Sequence, residues 1–349
     1  MGGEQDMSEI RRVILRRGRN AIITIFGIMT LNFFLIQGVG DPVLLLTPRD
    51  PKVPCEMRIE NGIRFGVYAP GSTCDNPIPL DTFSRFLLYL QNTFTGNWGM
   101  SYQWKQPVFD MVINDLTWTL VLVGAATVIT ILLGMLIGAV SAARRGQAFD
   151  LVMTSFGLFF YGMPVFWLAL VLQLGFTDQQ FGLNWWPTFP VGGEIDPDLR
   201  PFNWQLAQIM SVANHLILPS ATLALAYFAG VSLIMRNSLI DVMTEDYVVT
   251  ARAKGLAERM ILRRHVLPNG MPPMVTLIAL DMAFIFGGAY QIEYVFSYEG
   301  IGWRTISAIY FADFPVIQFI VVMGGVAVVV ANFFADLLLV KIDPRIKIA

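Results

Sequence analysis

Few side chains in this sequence could make or break a bond. It holds two histidines, His215 and His265, and two cysteines, Cys55 and Cys74. No G-x-x-x-x-G-K-[ST] loop cradles a nucleotide phosphate, and no nucleophile elbow or paired-carboxylate constellation emerges. No catalytic residue and no metal site are expected. The stretch that stands out is polar and basic, set between long apolar runs: Asp246-Tyr-Val-Val-Thr-Ala-Arg-Ala-Lys-Gly255, continuing through Arg263-Arg264-His265 to Pro268. Such a segment has little reason to persist between membrane spans unless another protein docks on it. Its chemistry is recognition.

The elements that must position this segment follow from composition. Apolar residues make up 55% of the chain and charged residues 14%, and the mean hydropathy is +0.57. That is more apolar surface than a soluble core of this size buries, so a membrane protein is expected. A net charge of −2 gives no polybasic case for nucleic acid. A span needs about 20 apolar residues to cross roughly 30 Å of hydrocarbon. Runs of that kind lie near 20–39, 112–143, 150–176, 212–240, 269–295 and 314–341. The expectation is an all-α protein with six transmembrane helices and no cleaved signal peptide.

Orientation follows from the basic residues. With the N-terminus inside, Arg11, Arg12, Arg16, Arg17, Arg19, Arg144, Arg145, Arg236, Arg252, Lys254, Arg259, Arg263, Arg264, Lys341, Arg345 and Lys347 all fall on the cytoplasmic side. These are most of the 24 Lys and Arg, which predicts cytoplasmic N- and C-termini. The polar segment is then cytoplasmic. His215 and His265 fall on opposite sides, which argues against a shared metal.

Residues 40–110 become a large outer segment, rich in Pro, Gly and Asp, where turns and short extended pieces are expected. A helical piece is predicted at 81–95, with Phe83, Phe86, Leu87 and Leu90 at helical spacing. This cap either packs on the membrane face or helps receive a partner protein. Cys55 and Cys74 lie in it, on the oxidising side, where a disulfide could add about 3 kcal/mol by closing the loop.

Within the spans, Gly134-x-x-x-Gly138 predicts close helix packing. Gly162-Met-Pro164 and Pro219 predict kinks. Asp281 and Asp336 should face the bundle interior or water. Asp281 and the pair Gly287-Gly288 are candidates for a solute path or gate.

Several of these pieces resemble one known family. Asp246-Tyr247, Thr250-Ala-Arg-Ala-Lys-Gly-Leu256, Arg264-His265 and the position of Leu267-Pro268 resemble the coupling motif of ABC importer permeases, of the peptide/nickel (Dpp/Opp) type. Glu293-Tyr-Val-Phe-Ser297-Tyr-Glu-Gly300-Ile-Gly302 resembles the family's E-T-V-F-S-x-x-G-L-G run. Asp313-Phe-Pro315-Val-Ile-Gln318, Asn332 to Asp336 and Asp343-Pro-Arg345 resemble its closing motifs. Gly40-Asp-Pro42 and Gly96-Asn-Trp-Gly99 resemble short pieces of its outer segment, with 47–80 as an insertion. Val249 and Thr250 depart from the general motif as the peptide subfamily does, and Pro268 stands where a basic residue is common.

The resemblance implies a type I ABC importer permease without a nucleotide site of its own. Residues 1–111 would be the tail, first helix and cap, 112–341 the permease core, and 342–349 a cytoplasmic tail. Asp246, Tyr247, Thr250, Ala251, Arg252, Lys254, Gly255 and Leu256 would couple to an ATPase, the small Ala251 letting the helix seat in a groove. Glu293, Ser297, Gly300 and Gly302 would form a re-entrant turn at the outer gate, the glycines permitting the turn. Implied partners are a homologous second permease, two ATPase subunits that bind ATP and Mg, an extracytoplasmic substrate-binding protein, and the bilayer. Peptide is the expected cargo, with oligosaccharide or nickel as alternatives. The aromatic loop Trp185-Trp186-Pro187, with Trp204, suits sugar stacking or interfacial anchoring equally. A channel or secondary transporter also needs six spans, but neither needs a docking helix for an ATPase.

Overall fold

The computed structural model describes residues 2–39, 55–64, 66–177, 183, 188–190, 192–275, 277–278 and 289–342. Its described elements are helices, with only isolated β-bridges beside them. In chain order they are α1 (Gly2–Val39), α2 (Cys55–Arg64), α3 (Thr82–Thr95), α4 (Val108–Ala143), α5 (Ala148–Tyr161), α6 (Val165–Phe176), α7 (Leu206–Met243) and α8 (Asp246–Ala253). There follow α9 (Glu258–Ile261), a π-helical turn at Leu262–Val266, α10 (Leu267–Gly270), α11 (Tyr290–Val295), α12 (Ile301–Tyr310) and α13 (Phe314–Ile342).

Four of these are long and apolar enough to cross a membrane: Arg16–Gly38, Val108–Ala143, Leu206–Met243 and Phe314–Phe333. The expected third span, 150–176, is two helices, α5 and α6, bent by 100° at the Gly162-Met-Pro164 break. Pro164, the N-cap of α6, has no N–H with which to continue the α5 ladder and disfavours helix at the preceding residue, so a mild kink becomes a corner. Pro219, by contrast, sits inside α7 without ending it. The middle of the expected span at 269–295, with Asp281, Gly287 and Gly288, lies outside the described residues, and so does Trp185-Trp186-Pro187.

The chain divides into two units. The first holds residues up to Asn114 together with Arg304–Phe334. Here α3 appears where helical spacing placed it. Asp81 caps it by accepting from the Phe83 and Ser84 backbone amides, and Gly96, in the left-handed region, ends it. The Asp81 carboxyl is held below its ordinary value chiefly by the Ser84 hydroxyl. Phe33 of α1 packs on Phe86 and Tyr89, and Asn32 Nδ2 donates to the Tyr89 hydroxyl and to the Gln318 carbonyl of α13. Gly325 of α13 lies against Ile28 of α1.

The insertion corrects one expectation. Turns and extended pieces were expected through 47–80, but Cys55–Arg64 is helical, with Glu56 favourably placed in its first turn. It buries Ile59 and sets Gly62 against the Tyr68 ring, where a Cβ would collide. Cys55 and Cys74 are joined, their Cα atoms 5.9 Å apart across a separation of 19 residues. The bridge therefore ties α2 to the following turn.

The second unit is built on α7, which packs against α5, α6 and α4. The glycine pair of α4 does what its spacing predicts. A Cβ on Gly134 would lie 2.5 Å from Val231 Cβ, and one on Gly138 would lie 2.5 Å from the Ser232 carbonyl. Near that end an ion pair locks α5 to α7. Arg236 Nε and Nη2 donate to Asp150 Oδ1 and Oδ2 at 2.6 and 2.8 Å, and the Gly146 amide donates to the same carboxylate.

The fork-on-carboxylate geometry and burial of Asp150 make this pair expensive to break. Asp150→Ala or Arg236→Ala should each cost about 3 kcal/mol, because each leaves a charge uncompensated. The double variant should cost less than the two singles added. Thermal unfolding of the detergent-purified chain checks this, and strict additivity would show that the pair is decorative.

Candidate functional site

The segment expected to couple begins where α7 stops at Thr244. Glu245 turns the chain, and α8 starts with Asp246 in its first turn, where a carboxylate complements the helix dipole. Eight residues later it ends in a Schellman cap. The Leu256 amide donates to the Ala251 carbonyl at 3.3 Å and the Gly255 amide to the Arg252 carbonyl at 2.9 Å. Gly255 holds φ +76, and nothing lies within 4 Å of where its Cβ would be. Backbone handedness, and not space, requires the glycine. Arg252 clasps Glu258 across the turn, Nε to Oε1 at 2.8 Å, in an exposed pair worth at most about 1 kcal/mol.

What fixes the segment is apolar. Val248 and Ala251 of α8, Ile261, Val266 and Met274 are buried in one cluster with Ala142 of α4 and Val231, Met235 and Leu239 of α7. The exit is fastened too: Ser238 Oγ donates to the Gly270 carbonyl at 2.9 Å, and a Cβ on Gly270 would lie 2.5 Å from Leu239 Cδ2. Ala251 therefore faces this chain's own core. Its smallness serves that packing, which corrects the expectation that it seats the helix in a partner's groove. The outward surface is Tyr247 and Val249, 42% and 53% exposed, with Thr250, Arg252, Lys254 and Leu256 around them.

The second candidate is the turn after α11. Glu293 is wholly buried, and both its oxygens are engaged. Oε1 accepts from Thr119 Oγ1 at 3.0 Å and from the Ala289 amide at 3.2 Å. Oε2 accepts from the amides of Gly302 at 2.7 Å and Trp303 at 3.2 Å. Thr119 Oγ1 in turn accepts from the Ile301 amide. Glu293 thus binds the start of α12 as an anion at a helix N-terminus would be bound.

The glycines here are required by space and not by handedness. Gly300 and Gly302 are not left-handed; Ser297 is, at φ +47. A Cβ on Gly300 would meet Glu293 Oε2 at 2.4 Å, and one on Gly302 would meet Tyr290 Cα at 2.6 Å. They are small so that carboxylate and backbone can approach.

Residues 192–203 brace this turn, a role that spacing did not signal. The Gly193 amide donates to the Phe296 carbonyl, Gln173 Nε2 donates to the Val295 carbonyl, and Arg200 pairs with Glu194 and, at 3.8 Å, with Glu299. Burial pushes the Glu194 carboxyl up, while Arg200 pulls it down. The same segment is held to α7: Ser211 Oγ donates to Asp196 Oδ2 at 2.6 Å, and Gln208 Nε2 donates to the carbonyls of Leu199 and Pro201. His215 lies in α7 and His265 in the π-helical turn, and the described residues hold no cluster of metal-ligand type.

Gly255→Asn should preserve the turn, since Asn tolerates the left-handed region, whereas Gly255→Val should cost roughly 1–2 kcal/mol and loosen α8. Amide hydrogen exchange across 246–256 reads the difference. Equal protection in both variants would show that the glycine is dispensable.

With this geometry in view, the comparisons with known proteins are specific. Residues 134–348 match the family described as the binding-protein-dependent transport system inner membrane component. The oligopeptide transport system permease protein AppB of Bacillus subtilis is 31% identical, with 96% of this chain and 98% of the relative aligned. The di/tripeptide transport system permease protein DppB of Pseudomonas aeruginosa is 31% identical over the same shares. The dipeptide transport system permease protein DppB of Escherichia coli K12 is 28% identical, again over 96% and 98%. Matched over more than half its length and aligned end to end with such relatives, the chain belongs to the family of inner membrane components of binding-protein-dependent transport systems, which are transport subunits and not catalytic enzymes.

Proposed function

We propose that this chain is the transmembrane permease subunit of an ATP-driven, binding-protein-dependent importer of di- and oligopeptides in a prokaryotic plasma membrane. The observation that carries the reading is the two-sidedness of the 246–270 segment. Its inner face is fused into the core of α7 and α4, and its outer face presents Tyr247, Val249 and Leu256 as an exposed surface among the described residues. A docking surface so anchored can pass a push into α7 without dissipating it. The names of the aligned relatives support peptide as the cargo.

In this reading six spans cross the membrane, the stretch 269–295 supplying one, with both termini and α8 cytoplasmic. Two ATPase subunits hold ATP and Mg, one of them against α8. A homologous permease completes the path, and an extracytoplasmic binding protein delivers substrate. Asp246, Thr250, Ala251, Arg252, Lys254 and Gly255 shape the docking helix, while Tyr247, Val249 and Leu256 make the contact. Glu293, Ser297, Gly300 and Gly302 form the outer gate, and Asp281, Gly287 and Gly288 belong to the path.

Val249→Asp places a charge in the docking face without touching the core. Co-purification of the ATPase subunits should fall by about tenfold, a loss of about 1.4 kcal/mol, with the permease still inserted. ATP-driven uptake of a labelled dipeptide into vesicles should fall in step. Undiminished co-purification and uptake would remove α8 from the docking role. Uptake of an oligosaccharide in place of the dipeptide by the unaltered complex would overturn the cargo.

A further inference from the structure

The helix α3 carries an apolar stripe that the transport reading leaves unused. At 100° per residue, Phe83, Leu87, Leu90 and Phe94 fall along one line of the helix. Phe83, Leu87 and Phe94 are 67%, 49% and 75% exposed. Other faces are spoken for: Arg85, Tyr89, Asn92 and Thr93 line a cavity of about 430 Å³, and Phe86 and Tyr89 pack on Phe33 of α1. The free stripe is therefore a fixed feature of how α3 is docked.

Two observations say what covers it. The first is depth. Asn32, which donates to Tyr89 of α3, lies about 9 Å inside the end of the apolar stretch at Gly38, at 1.5 Å per residue. It also donates to Gln318, about 6 Å inside the start of α13 at Phe314. So α3 sits at the level of the spans' ends, not above them. The second is continuity. Phe34 of α1 stacks beside Phe86, ring centroids 6.0 Å apart, and Phe34, Leu35 and Leu31 are exposed apolar residues of a membrane-crossing helix. The stripe of α3 extends that lipid-facing surface sideways.

We infer that α3 is an interfacial helix, lying in the plane of the bilayer at its extracytoplasmic face, with Phe83, Leu87, Leu90 and Phe94 in the acyl-chain region. Asp81, Thr82, Ser84 and Gln91 then meet water and headgroups, as the amphipathic pattern of such helices requires. The inference rests on the topology of the transport reading but not on its cargo or its ATPase. It gives the cap a lipid anchor.

The test is spin labelling of Phe83→Cys, Leu87→Cys, Phe94→Cys and the control Gln91→Cys in the assembled transporter, reconstituted in phosphatidylcholine nanodiscs. The native cysteines of this chain are paired, so each variant carries one reactive thiol in this subunit. Labels at 83, 87 and 94 should be relaxed several-fold more by oxygen than by a water-soluble nickel chelate, with the ratio reversed at 91. A chelate-dominated signal at all four positions would put α3 in water and overturn the proposal. Labels at 83, 87 and 94 that are immobilised and reached by neither reagent would show a protein partner there and overturn it equally. Because the reading is of lipid contact alone, either failure leaves dipeptide uptake and ATPase docking to be judged separately.

Discussion

The burial of Val248, Ala251, Ile261 and Val266 against Met235 and Leu239 is the constraint on which the functional geometry depends. A short polar segment between spans has no stability of its own: an eight-residue helix is far below the length at which isolated helices persist in water. Here the apolar seam holds it, and the Schellman cap at Gly255 sets the angle at which the chain turns back. The charges, by contrast, are exposed and individually weak. Position is fixed by packing, and the basic residues stay on the exposed surface, where a partner could meet them.

A different physics operates at the other end of α7. Glu293 collects two side-chain or backbone donors on each edge of its carboxylate, counting Thr119, Ala289, Gly302 and Trp303, and so ties α11, α4 and the start of α12. In the first unit Asp313 does the same for the 101–104 turn, accepting from Ser101 Oγ at 2.5 Å and from the amides of Tyr102 and Gln103 at 3.1 and 3.0 Å. A buried carboxylate surrounded by amide donors is stable only in one arrangement, since any displaced amide leaves charge unmet. Such clamps hold loops in place where apolar packing alone would let them slide.

Much of this was legible in the sequence where a single period carries the signal. The α3 helix emerged at its expected place because Phe86, Leu87 and Leu90 repeat at helical spacing, and Gly134 with Gly138 announced a close helix contact that α7 supplies. What was not legible depended on partners distant in the chain. Asp150 and Arg236 are 86 residues apart and bear no common motif. Ala251 looked like a docking residue because smallness has two uses, and only the position of Val231 to Leu239 decides between them. Gly300 and Gly302 were read as permitting a turn, but the close approach of Glu293 and Tyr290 that requires them could not be read from their spacing. The 55–64 helix was hidden by the surrounding prolines and glycines, which advertise turns on either side of it.

The central claim is that α8 and α7 move as one body when nucleotide closes the ATPases. The direct measurement is the distance between spin labels at Thr250→Cys and Tyr227→Cys, both at solvent- or lipid-facing positions, by pulsed dipolar spectroscopy on the assembled transporter. The account predicts one narrow distribution that is unchanged between the nucleotide-free and ATP-bound states, while distances from α8 to the second permease change. A shift or broadening of the 250–227 distance by several ångström on binding ATP would contradict it, because the segment would then be sliding on α7 and not driving it.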